Sequence, residues 1–488
     1  MKKVGKYLSI TLLLLLGLCC VGVLYLFFIP NASLFNITYI NHNKHIKSNS
    51  YSAEEISHVV VNSRAYDVEV VSSGSSEVKL EVFSNSFGFT LTKNQNVNLS
   101  ASVVNNVLTF NVTEPYGAAV KNNSYIKLHI SSNYAVDLTL NNLSATTVIN
   151  SNDAKINNLN YSTSKGNFKF KKGNILGSLN LDLNKSTFSI SEEVNTQSNN
   201  VKLKLSSGKF YAEKETLGEI EILRNNRGVI SVQECSRLTE NVSSAGGQIN
   251  VVKTSYVNIL TSDTIISINE ITHGANIQLT GSGRVSIETL KTISSIKTNS
   301  GNINIKNAES NLTVHSNSGN IKVDSARTIV SVRTQSGRAE VHFGDDVESY
   351  INSTEGFTYR VLNARINNGS LTATGVEHLG AVEDVEGVEI LGSGRVSIKM
   401  NNVFGINEIV GNNGNVNVVV NKASVYTLNT QSESGSVRVN LTQTIQFNGY
   451  TTIEPTPTNV NCSTVSANKL SISTTKGSLL VLDTNFAN

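Results

Sequence analysis

The sequence predicts an all-β fold: an N-terminal transmembrane helix, a β-rich cap, and a long parallel β-solenoid of about 18–21 residues per coil. Three observations predict it. Proline and tryptophan number 4 and 0 while glycine reaches 34, and scarce proline suits ladders that use every backbone N–H. Residues 7–29, YLSITLLLLLGLCCVGVLYLFFI, form one apolar run. Ser282-Gly283, Ser300-Gly301, Ser318-Gly319 and Ser336-Gly337 recur at a spacing of eighteen.

Lys2, Lys3 and Lys6 precede the apolar run, whose roughly 23 residues suffice for a helix across about 30 Å of hydrocarbon. It ends in Phe27-Phe28-Ile29-Pro30 without a small-x-small exit, which reads as an uncleaved anchor rather than a signal peptide. The next basic residue is Lys44, so the positive-inside rule puts residues 30–488 outside the cytoplasm of a single-pass membrane protein. Cys19 and Cys20 read as membrane-buried thiols. The expected organisation is a cytoplasmic stub and anchor at 1–29, a polar tether at 30–51, a β-rich N-terminal region at 52–149, and solenoid repeats at 150–488.

Between Glu54 and Ile149, stretches such as EVKLEVF, VLTFNV and YIKLHI alternate with period two, the mark of strands buried on one face. Further on, the eighteen-residue copies stack into columns. Val285, Ile303, Ile321, Ala339 and Ile287, Ile305, Val323, Val341 alternate with Ser286, Asn304, Lys322, Glu340. Leu312, Val330 and Ile296, Val314, Val332 alternate with Ser295, Thr313, Ser331. Each unit thus holds two short strands, and only stacked neighbours can bury their apolar faces. Asn299, Asn317 and Gln335 make an amide column. The glycines read as turn residues with permissive dihedrals. Cys235 and Cys462 fall roughly eleven coils apart, about 50 Å at the usual strand spacing, so both are expected to be free thiols.

EEISHVVVNSRAYDVEVVSSGSSEVKLEV at 54–82, YIKLHISSNYAVDLTL at 125–140 and the serial SGNI-type units resemble a bacterial adhesin family built on a β-strand-repeat domain of unknown function. The resemblance implies a right-handed, β-helix-like fold and placement at the cell surface. It brings no catalytic residue, cofactor or metal ligand to carry over.

The residues themselves offer little chemistry. Forty basic against 37 acidic side chains give a net charge of +3, which excludes a nucleic-acid footprint. GSGRVSI, at 281–287 and 392–398, lacks the helix that a phosphate-binding glycine loop requires. His42 and His45 lie in the tether, and His58, His129, His273, His315, His342 and His378 are scattered, short of the three or four convergent ligands zinc wants. Lys297, His315 and Arg333 form a small outward basic stripe. KGNFKFKKGN at 165–174 reads as a half-buried strand with lysines outward. Asp345-Asp346 and Glu383, Asp384, Glu386 are the acidic clusters nearest to a carbohydrate-active site, and adjacent acids in loops are usually solvated.

The reading that follows is a non-enzymatic, membrane-anchored surface protein, an adhesin or envelope-interaction module, whose solenoid meets a cell-wall polymer, glycan or protein through many weak contacts. A self-assembling envelope scaffold, joined through exposed strand edges, is the alternative. A carbohydrate-active β-helix enzyme is the third. No catalytic, cofactor-binding or metal residue is assigned.

Overall fold

The computed structural model describes the chain except for residues 1–10, 23, 25–32, 35–36, 65, 91–96, 114–118, 143, 197–199, 242–245, 345–359, 380–386, 402, 404–405, 422–425, 434–436, 441–445, 451–467 and 485–488. The described residues are all-β, with 71% strand and one helix. That helix occupies residues 11–22, about 18 Å at the usual rise. Among the described residues no helix is long and apolar enough to cross a membrane. The expected transmembrane helix at 7–29 is therefore corrected, its residues 7–10, 23 and 25–29 lying outside the described ones. The fold class is corrected with it: a closed parallel barrel stands where a solenoid behind a transmembrane helix was expected. The tether expected at 30–51 is also revised. Strand Ile37–Lys47 runs antiparallel to Glu77–Thr90 from Thr38↔Thr90 to Lys47↔Glu81. Its polar composition hid it, because an outer strand is held by backbone ladders as much as by side chains.

The chain divides into two compact units, Met1–Glu219 and Ile220–Asn488. In the first, Glu77–Thr90 lies between antiparallel neighbours Ile37–Lys47 and Tyr125–Ser131, and the latter pairs in parallel with Asp67–Ser73. Parallel pairing takes over from Thr147–Thr163 onward. The start of that long strand meets Asn167–Ile175 and its end meets Leu179–Asn184, so one strand serves two ladders. In-register pairing brings Phe168 beside Phe188, and Phe188 beside Phe210. Their rings, with Tyr161, fill the interior between the ladders, all essentially without exposure. Lys169 and Lys171 point outward from the same strand, as the alternation in KGNFKFKKGN requires.

In the second unit, Val229–Asn241, Gln248–Thr261 and Ile265–Leu279 each run unbroken through two parallel ladders. From Arg284 on, the ladders separate into shorter strands. The expected columns are present: Val285↔Ile303↔Ile321↔Ala339 and Ile287↔Ile305↔Val323↔Val341 in one ladder, Ile296↔Val314↔Val332 in the other, all buried. Register survives a long detour, since Val330 pairs with Leu362 and Ala339 with Leu371. Asn317 Nδ2 donates to Asn299 Oδ1 at 2.8 Å, the first rung of the expected amide column.

The recurrent glycines have a different cause from the one expected. Among the described glycines, only Gly88, Gly173, Gly246, Gly375 and Gly387 have positive φ, and none belongs to the Ser-Gly column. What that column needs is space. A Cβ on Gly301, Gly319, Gly337 or Gly369 would fall under 3.0 Å from the carbonyl oxygen of the glycine one layer before, and Gly477 stands likewise against Gly414. The residue three before holds the corner from inside: Ser316 Oγ and Thr334 Oγ1 accept from Gly319 N at 2.9 Å and Gly337 N at 3.0 Å, while Thr298 Oγ1 donates to the Gly301 carbonyl at 2.7 Å.

At the C-terminal end, spatial order departs from chain order. Lys469–Thr474 pairs in parallel with Ile406–Gly411 on one side and Thr427–Ser432 on the other. Leu479–Asp483 is likewise inserted between Asn415–Val420 and Val437–Asn440. The last strand pair thus sits inside a stack that was formed by earlier segments.

Cys235 is a free, buried thiol, donating to Thr254 Oγ1 at 3.5 Å, and burial pushes it up to about 11. Cys462 lies outside the described residues. Iodoacetamide should leave Cys235 unlabelled in the native protein and alkylate it after unfolding in guanidinium, read by peptide mass spectrometry. Native labelling at the rate of an exposed thiol would contradict its burial.

Candidate functional site

Lys297, His315 and Arg333 stand directly above one another, Lys297↔His315↔Arg333, on the outer face of one ladder in the second unit. Arg365 continues the column, paired with Arg333. Sequence spacing missed it because residues 345–360 interrupt the eighteen-residue repeat; the alternation in VLNARI was the available signal. Beyond it comes Glu389, whose Oε2 accepts from Arg365 Nε at 2.9 Å. Four basic side chains therefore line up at intervals of about 4.8 Å.

Like charges directly opposite in a sheet destabilise it, and the other ladder avoids them. There Glu234, Lys253 and Glu270 alternate in register. Lys253 reaches Glu234 at 3.5 Å, Lys291 reaches Glu270 at 2.9 Å, Lys306 reaches Glu288 at 2.5 Å, and Lys322 reaches Asp324 at 2.7 Å. These solvated pairs contribute little stability but neutralise their face. The basic column has no such interleaving until Glu389. The half-buried hydroxyls of Ser295 and Thr313 flank it on one side, their register partner Ser331 being buried, and the Asn299–Asn317 amide pair lies on the other. Burial lowers the His315 pKa most; the hydrogen bond with Asn317 opposes this, and the charges of Arg333 and Lys297 add to it. At neutral pH the ring is therefore uncharged between two cations.

The remaining histidines do not make a catalytic set. His45 Nε2 lies 3.3 Å from Glu81 Oε2 and His129 Nε2 lies 3.9 Å from Glu81 Oε1, with Lys79 and Lys47 at 3.4 and 3.9 Å. Sequence reading left these residues scattered; antiparallel pairing on both sides of Glu77–Thr90 gathers them. Burial works to raise the Glu81 pKa, but the Lys79 hydrogen bond, the Lys47 charge and His45 outweigh it and keep the carboxyl below its ordinary value. Surrounded in this way, Glu81 is an ion-cluster anion and not a proton acceptor. His42 lies in the same outer strand as His45, opposite Ser86. His58 meets Thr139 Oγ1 at 2.8 Å, His342 meets Thr374 Oγ1 at 2.7 Å, and His273 meets Thr272 Oγ1 at 2.8 Å. Among the described residues no group of three His, Cys, Asp or Glu could hold a metal ion. Asp345, Asp346, Glu383, Asp384 and Glu386 lie outside the described residues. Both copies of GSGRVSI lead into strands, Arg284–Leu290 and Arg395–Met400.

Residues 211–374 match the family model described as Toastrack DUF4097, a β-repeat domain of unknown function. The match covers the serial SGNI-type units but not the stretches at 54–82 and 125–140, and it carries no adhesin assignment. No curated protein and no solved structure matches the chain.

Proposed function

We propose that the protein is a non-enzymatic, extracytoplasmic binding module that holds a linear anionic polymer along Lys297, His315, Arg333 and Arg365. The observation that carries this reading is the run of basic side chains in register, with Arg333 directly opposite Arg365 as like charges and no acid before Glu389, beside a face whose charges are paired. A polymer with regularly spaced carboxylates or phosphates would relieve that repulsion, and the flanking hydroxyls and amides would bond its uncharged groups. Contacts repeated along one line sum through effective concentration, which suits an adhesin-type or envelope-interaction role. Extracytoplasmic placement is what the resemblance of residues 54–82 and 125–140 to a cell-surface family implies.

The test is binding of the full chain to polygalacturonate and to inorganic polyphosphate across salt and pH, with reducing-end release followed in the same samples. Binding should weaken with salt, and Arg333→Ala should lower the slope of log K against log salt by about one. Arg333→Glu should abolish it. As pH falls through the lowered His315 pKa the column gains a further charge, so binding should tighten on acidification, and His315→Asn should remove that gain. Stability moves the other way. The unfolded chain protonates this histidine first, so the contribution of the neutral ring is complete above the ordinary imidazole value of 6.5 and is lost as pH falls through the lowered folded value. Equal binding by the parent and Arg333→Glu, or release of reducing ends, would overturn the proposal.

A further inference from the structure

The inserted strand pair at the C-terminal end is a separable layer. Lys469 is in register with Ile406 on one side and with Thr427 on the other, and the match continues through Thr474 opposite Gly411 and Ser432. In the second ladder, Leu479 faces Val416 and Val437, and Val481 faces Val418 and Val439. Both flanking layers therefore already share one register across the insert. Without it, Thr427–Ser432 and Val437–Asn440 could stack directly on Ile406–Gly411 and Asn415–Val420, which is the order in which the chain runs. The interior would still be lined, with Ile409 meeting Thr430 and Val418 meeting Val439, all four buried now.

The displaced pair could not stay bare. Leu470, Ile472, Leu479 and Val481 are at most 2% exposed, so the pair needs a slot with the same register. The slot is also shaped for it: Gly477 lies where a Cβ would strike the Gly414 carbonyl oxygen, and Thr474 Oγ1 donates to the Gly477 carbonyl at 3.0 Å, the corner used by the consecutive layers. An identical slot exists on a second copy of the chain. Gln446–Tyr450 pairs in parallel with Thr427–Gln431 on its other side, so the covalent connection to the donor is residues 451–468, long enough to permit the transfer and containing Pro455 and Pro457, two of the four prolines, which cannot donate to a ladder.

We propose that Lys469–Thr474 and Leu479–Asp483 act as an exchangeable strand donor, which fills the slot of its own chain or that of a second copy and so joins two copies by reciprocal exchange. This is independent of polymer binding. The contacts made are the same in either case, so concentration sets the balance between the two forms.

Paired cysteines test it in the full chain, against the parent protein as control. Glu408→Cys with Ser471→Cys places thiols on adjacent strands, about 4.8 Å apart and within disulfide reach. Oxidised protein should give an intrachain bond in the monomer and an interchain bond in a dimer. The dimer-to-monomer ratio should rise about tenfold for each tenfold increase in free monomer during a prior mild warming. Glu408→Cys with Asn429→Cys places the thiols two strands apart, beyond about 7 Å, unless the slot has closed in chain order. That pair should cross-link in a fraction that grows when Ile472→Asp weakens the donor. Val419→Cys with Leu482→Cys asks the first question in the other ladder, should the first pair misfold. Intrachain bonds alone at every concentration in both adjacent pairs would overturn the proposal.

Discussion

Phe188→Ala is expected to lower the stability of the first unit by about 3–5 kcal/mol, the range for removing a buried ring. Phe188 has no exposure and stacks on Phe168 at 4.3 Å and 16°, with Phe210 and Tyr161 each at 6.0 Å. These rings come from successive layers held in register by backbone ladders, so they cannot slide together to fill the space. The loss therefore combines the transfer of a ring with a persistent cavity. Hydrogen exchange should show it most clearly in Asn167–Ile175 and Thr187–Thr196, with protection in Ile265–Leu279 little changed. Substitution to Leu, which keeps much of the volume, should lose less. Exchange protection unchanged by Phe188→Ala would mean the ring column does not bear on stability.

Gly319→Ala is the second large effect, about 1–3 kcal/mol from overpacking alone. The added methyl would meet the carbonyl oxygen of Gly301, a backbone atom fixed by neighbouring ladders rather than the tip of a mobile side chain. The only relief is for adjacent layers to move apart, and that loosens the Ser316 to Gly319 hydrogen bond and the ladder Ile303↔Ile321 beside it. Gly74→Ala is the matched control, since nothing lies within 4 Å of its Cβ position. A denaturation midpoint that drops for Gly319→Ala and stays put for Gly74→Ala would support close approach as the cause. A drop of equal size in both would mean that crowding against the Gly301 carbonyl is not the cause.

The columns from Val285 to Val341 were legible because one spacing recurs without interruption and each unit alternates apolar with polar residues. Arg365 was not legible, since residues 345–360 shift the count while the ladder keeps its register. Ile37–Lys47 was hidden for another reason: its place is decided by an open neighbouring strand rather than by an apolar stripe. The cluster of His45, Lys47, Lys79 and His129 around Glu81 comes from antiparallel pairing of segments up to 84 residues apart (129 − 45), a proximity no local pattern encodes. The purpose of the glycines needed coordinates too. Either a turn dihedral or a crowded corner would put glycine at the same place in the repeat. The inverted order at Lys469–Thr474 was equally invisible, because Gly435 and Gly477 both carry the signature of a next layer.

The unbroken register from Val330 to Leu362, and from Ala339 to Leu371, has an evolutionary consequence. The connection leaving Phe343 and returning at Val361 is a place where the chain can lengthen without disturbing what stacks above or below. Closing a longer excursion adds only about 0.6 kcal/mol for each doubling of its length. New surface can thus be grafted between one layer and the next, while the scaffold beneath stays as it was.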